Sequence, residues 1–273
     1  MNREAGLARM TFAQLLRAGG IDVATEYRKL HRLLCSRIDY RHPKSLYELI
    51  DEHFLQIGFR GTCLSLYDMD LKLGVDYKNM GYTDSFETLV SFCEYVYNLS
   101  FALFMMEEVH SDLPALALSH IELLMDNVGY SRRQDDGLYI FVEDKPEVVE
   151  AAALLPETTG AAVFRYGHHS MSGDLAGKRA VLLQLANELE PRAAELGAAC
   201  KKLKSDLFFS FNNLDIRHNN RTPEDSHYRA ATAQLTDAEL EMWYDRTYRT
   251  CLEAIMLLER QSWADELEVL KQG

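Results

Sequence analysis

The chain has 273 residues, of which 47% are hydrophobic and 26% charged, an ordinary balance for a globular protein able to bury a core without staples. Its net charge of −13 excludes a protein that coats nucleic acid or an anionic membrane over a broad surface, while leaving room for a small basic site. The five cysteines, Cys35, Cys63, Cys93, Cys200 and Cys251, are odd in number, far apart and without a CxxC pair, which excludes a disulfide framework and a zinc cluster.

In chain order, "MTFAQLLRAGG" places Phe12, Leu15 and Leu16 on one helical face and stops at Gly19-Gly20. The first residues lack the apolar run of a secretory leader, and no stretch reaches the roughly 18 apolar residues of a membrane span. With the scattered thiols, this predicts a cytoplasmic protein that makes no membrane contact. Asp22 caps a second helix whose apolar positions, Val23, Tyr27, Leu30, Leu34 and Ile38, are three or four apart, and His42-Pro43 ends it. Ser45 and Glu48 form a capping box for the next. "CLSLYDMDLKLGV" is a further short helix.

Residues 84–110 carry a wide apolar stripe from Phe86 through Val90, Val96 and Tyr97 to Phe104, and the opposite face is also rather apolar. Such a helix is central, and its excess apolar surface predicts self-association. Another helix runs from Leu113 to Asp126. The texture then changes. "GLYIFV" beside Asp136-Gly137 predicts a small β-hairpin, inserted near 127–145. Beyond it, "PEVVEAAALLPET" is briefly helical, "YGHHSMSGDLAGK" is a loop, and two long helices cover 176–189 and 191–217. Thr236 and Glu239 make a capping box for the closing helix, with Leu240, Tyr244, Thr247, Cys251, Ile255 and Leu258 inward. The fold expected is mainly α: a helical N-terminal region over 1–82, then a helical bundle over 83–273 with one inserted hairpin.

The stretch "FFSFNNLDIRHNN" runs an apolar stripe into a polar knot. Residues 217, 218 and 221 lie three, four and seven beyond Leu214, so Arg217, His218 and Arg221 continue the buried face past the helix end. Two readings are open. The cations can bond the unpaired carbonyls of a helix end, or they can face a cleft and bind an anion. Asn219 and Asn220 fit either role.

Three segments in this order, "FCEYVYN", "DIRHNNRTPEDSH" and "ELEMWYDRTYRTCLEAIMLLE", make residues 84–265 resemble the HEPN superfamily, which includes ribonucleases of bacterial antiphage and toxin–antitoxin systems. The resemblance implies a HEPN-like bundle that cleaves RNA without metal or cofactor, at a site formed across a homodimer. It implies a role in prokaryotic defence or stress response, with any partner protein unidentified. A histidine would act as general acid or base and an arginine fork would hold the scissile phosphate. Two frames fit: Arg221 followed after five residues by His227, or Arg217 with its polar neighbours His218 and Asn219. Asn219 and Asn220 would position the substrate.

Residues 27–44 hold Arg28, Lys29, Arg32, Arg37, Arg41 and Lys44 against the single acid Asp39, so Arg37 and Arg41 belong either to an RNA-binding surface or to a solvated helix face. Adjacent His168 and His169 diverge and have no carboxylate at helical spacing, so no metal site is expected. The alternatives to a ribonuclease are a non-catalytic HEPN-like module that binds a nucleotide or a protein, and a structural oligomeric helical protein.

Overall fold

The computed structural model describes residues 21–272, so the helix expected before Gly20 lies outside the described residues. The fold is mainly α with one small β-hairpin. The helices are α1 (Val23–Cys35), α2 (Leu46–His53), α3 (Leu66–Leu73), α4 (Phe86–Phe104) and α5 (Leu113–Asn127), then α6 (Pro146–Ala153), α7 (Glu157–Tyr166), α8 (Leu175–Leu189), α9 (Ala193–Ala199), α10 (Lys201–Asn213), α11 (Ala230–Ala233) and α12 (Asp237–Gln272). Strands β1 (Tyr130–Asp135) and β2 (Leu138–Glu143) lie between α5 and α6. No helix among the described residues is long and apolar enough to cross a membrane.

The caps that the sequence advertises are made. Asp22 accepts from the Thr25 N–H, Ser45 and Glu48 close their reciprocal box, and Glu239 accepts from the Thr236 N–H at 2.8 Å. Asp136 and Gly137 both take positive φ, 48° and 79°, as a two-residue hairpin turn requires.

The chain divides into two compact units. Of the described residues, the first comprises those up to Arg132 together with Gly137–Phe141, and the second comprises Arg133–Asp136 and those from Val142 onward. In the first, α4 is the central element. Nine of its residues are buried, among them Val90, Phe92, Cys93, Val96 and Leu99, beneath α1, α2 and α5. The apolar excess of this helix is therefore taken up inside its own unit, although Phe104 at its end is exposed. The expected boundary near residue 83 is not where packing changes, because α1 and α2 share the core of α4. In the second unit, α8 and α12 pack along each other, with α6, α7, α9 and α10 around a separate core. The segments that carry the HEPN resemblance are thus divided, "FCEYVYN" in the first unit and the other two in the second.

Three elements differ from expectation. α1 stops at Cys35, so Ile38 lies beyond it and is exposed. The single helix expected over 191–217 is two, because Cys200 adopts an extended conformation (φ −153°, ψ 96°) between α9 and α10. α10 ends at Asn213, and Asp215 turns the chain with φ 59°. Finally, α7 covers residues expected to carry no helix of their own. It contains Gly160, where an added Cβ would meet the Ala152 carbonyl oxygen at 2.9 Å. That glycine lets the α6 and α7 backbones touch.

Candidate functional site

The loop from Asp215 to Arg229 is built around Asn220, which is fully buried. Its Oδ1 accepts the Asp215 N–H at 2.7 Å, and its amide group donates to the carbonyls of Asn212 (3.1 Å) and His227 (2.7 Å). Its own backbone N–H is bonded to the Asp215 carboxylate at 2.9 Å, and its carbonyl accepts from Arg229 at 2.8 Å. Asn219 closes the adjoining turn by accepting from the Thr222 N–H at 3.1 Å. Both asparagines are spent on the loop itself.

The two arginines are committed as well. Arg217 donates to the Ala186 carbonyl at 3.0 Å, near the end of α8, and pairs with Glu190 at 3.0 Å, with its guanidinium beside the Phe208 and Phe211 rings. Arg221 donates to the Leu235 carbonyl at 3.2 Å and to Asp237 at 3.2 Å. Both side chains thus serve backbone carbonyls and acids, nearer to the first reading of the knot than to the second, although neither carbonyl belongs to the end of α10. The histidines are different. His218 and His227 stack face to face, with ring centroids 4.0 Å apart and 6° between planes. Asp225 lies beside them, accepting the His227 N–H at 2.9 Å, and this bond above all holds its carboxyl below the usual range. The loop thus unites the histidines of both motif frames but gives neither a free arginine fork.

The basic stretch is largely neutralised. Lys29 pairs with Glu26 at 2.7 Å, Lys44 with Glu52 at 2.6 Å, and Arg37 reaches Glu48 at 3.9 Å. Arg41 grips Asp39 through two donors, at 2.8 and 3.1 Å, which with other bonds pulls that carboxyl down to about 2. His42 bridges Asp39 (2.9 Å) and Asp112 (2.5 Å), one from each ring nitrogen. The two carboxylates favour the protonated ring and raise its pKa above the ordinary value, first through the bond to Asp112.

A different cluster, in the second unit, was not foreseen. Lys178 on α8 is buried, with its ammonium 2.6 Å from Asp245 and 2.8 Å from Glu241 of α12. The Tyr166 hydroxyl donates to the same Asp245 oxygen at 3.0 Å, and the Tyr166 ring stacks on Tyr248 at 4.0 Å. Burial opposes the Lys178 charge, but hydrogen bonds to Asp245 and Glu241 outweigh it and keep the ammonium's pKa above its ordinary value. Glu241 is held below the usual carboxylate range by Lys178 and by the Gly173 N–H. These groups line a cavity of about 730 Å³, shared with His168, His169, Lys145, Glu147, Arg249 and Glu253.

A signal for this cluster existed in the sequence. Lys178 occupies the stripe position of Leu182, Leu185 and Leu189, and Glu241 and Asp245 sit one turn apart on a face that continues to Tyr248 and Leu252. A charge in a core stripe is expensive unless paired. Comparisons with family models, with curated proteins and with solved structures give no match to this chain.

Proposed function

We propose that the chain is a non-catalytic binding module, and that its ligand is a small molecule of the mononucleotide class held in the Lys178 cavity. The observation that carries this reading is the buried ammonium with two carboxylates and a phenol at a cavity wall. Such a cluster is a poor way to stabilise a core, and perturbed ionisable groups gather where ligands bind. The volume falls within the usual range for small-molecule pockets. Arg249 makes no ion pair among the described residues and lies on the cavity wall, where its planar fork suits a phosphate. Asp245 and Glu253 supply acceptors for the N–H groups of a base.

Calorimetric titration of wild type, R249Q and D245N with AMP, GMP, CMP and UMP tests it. One of these nucleotides is expected to bind wild type in the micromolar range, and R249Q to weaken it by about tenfold, the loss of roughly one charge-assisted contact. Absence of saturable heat with all four up to millimolar concentration overturns the reading. The ribonuclease alternative rests on the stacked His218 and His227. It predicts cleavage of single-stranded RNA in chelator, lost by about a hundredfold or more in H218A or H227A. The binding reading expects no cleavage by wild type.

A further inference from the structure

The first unit contains a cavity of about 430 Å³ between the turn at Gly58–Arg60, α3, α4 and the start of β2. Its wall is apolar, formed by Phe59, Met69, Leu73, Val75, Leu138 and Ile140. The polar groups on it are mostly spent. Asn98 exchanges both its amide atoms with the Tyr139 backbone, each at 2.8 Å. Glu94 accepts the Phe141 N–H at 2.7 Å, and the Tyr95 hydroxyl donates to Asp70 at 2.6 Å.

Two groups are not spent. Arg60 uses Nε and Nη1 on the carbonyls of Leu55, Gly61 and Cys63, which fixes the guanidinium against the turn. Its Nη2 has no acceptor, and no acid pairs with it among the described residues. Lys72 also lines this cavity, and its ammonium lies over the same turn, 3.5 Å from where a Cβ on Gly61 would stand. Gly61 has φ 61° and ψ −125°, a conformation open to glycine. Thus a protein of net charge −13 brings two cations to one glycine at the edge of an apolar cavity and gives neither a counter-ion among the described residues. Like charges gathered this way favour an anion, and the adjacent wall favours a hydrocarbon or aromatic body.

We propose that this cavity binds a free amphipathic carboxylate, its head group on Arg60 and Lys72 and its apolar body along Phe59, Leu73 and Val75. The site is independent of the Lys178 cavity, which belongs to the other unit.

The test uses the full chain and three probes: decanoate below its micellar concentration, decanol with nearly the same body but no charge, and acetate with the charge but no body. Calorimetry should show saturable binding of decanoate, binding of decanol weaker by about tenfold, and none of acetate. Lys72 is exposed and makes no bond that the fold needs, so K72Q should keep the wild-type circular dichroism. It should weaken decanoate by about fivefold to tenfold while leaving decanol unchanged. L73D, which places an acid at an exposed position of the wall, should weaken decanoate further. Equal affinity for decanoate and decanol overturns the proposal, because the cations then contribute nothing. So does an unchanged decanoate affinity in K72Q, or saturable binding of acetate alone. Association with anionic lipid vesicles without binding of monomeric decanoate also overturns it, since the surface rather than the cavity then recognises the anion.

Discussion

Asn220 shows how a residue suited to a catalytic loop can be fully occupied in holding it. Its side chain serves one donor and two acceptors that burial would otherwise leave orphaned. Asn220→Ala should therefore cost about 2–4 kcal/mol, measured by urea unfolding, whereas Asn219→Ala on the exposed turn should cost under about 1 kcal/mol. Equal effects would remove the distinction between them. Lys178 makes the complementary case. Lys178→Met leaves Glu241 and Asp245 close together without their cation, and should cost about 1–3 kcal/mol, less than a fully buried pair because Asp245 is partly exposed. Adding E241Q and D245N to that variant should recover most of the loss. The sequence displayed both residues plainly, but singled out only Asn220 as a candidate for function. Arg217 and His218 drew notice because they are conspicuous together. Lys178 did not, because its meaning depends on Glu241 and Asp245, more than sixty positions away, and on a cavity that no periodicity describes.

At the scale of elements, caps and turns were legible because they are local: Asp22, the Ser45–Glu48 box and Asp136-Gly137 each act within four residues. The break at Cys200 was not, since the apolar spacing runs through it and continues on α10. α7 was missed for a related reason, because a helix containing Thr158, Thr159 and Gly160 has poor intrinsic propensity. What it gains is contact with α6, and that gain is testable. Gly160→Ala would improve propensity on an exposed helix, but here the new Cβ must push against the Ala152 carbonyl. Thermal unfolding should show a loss of about 1–3 kcal/mol rather than a gain. The tie between the 39–42 turn and the start of α5 should depend on pH. His42 has its pKa raised above 6.5, first by the bond to Asp112, so its contribution is complete below 6.5 and is lost as pH rises through the higher folded value. Asp39 and Asp112 are lowered from 3.8, so theirs is present above 3.8 and is lost as pH falls below it. The tie is strongest between these limits. Amide exchange at Leu113 and Leu116 should slow in that window and quicken above it, and the profile should flatten in His42→Gln.

For the whole molecule, the decisive fact is two cores rather than one. Composition and helical content were readable early, but the division was not, because sequence neighbours such as α1, α2 and α4 look like separate regions until their shared core is seen. Both tryptophans, Trp243 and Trp263, stand on α12 in the second unit. Tryptophan fluorescence therefore reports that unit alone, while far-ultraviolet circular dichroism reports both. The two probes should give urea transitions that do not superimpose, as expected when cores unfold with separate stabilities. Superimposable curves would mean that the units unfold as one.

The path of the chain through the hairpin also bears on biosynthesis. Phe141 belongs to the first core, and Tyr139 carries both backbone bonds to Asn98, yet Arg133–Asp136, which precede them, belong to the second unit. A ribosome that has delivered the first 132 residues has not yet delivered a complete first unit. Until β2 emerges, the wall beside α4 lacks Leu138, Ile140 and Phe141, and apolar surface of α4 stays open to whatever binds nascent chains. A translational pause shortly after residue 132 would prolong that exposure, whereas a pause after residue 141 would let the first unit close before the second is made.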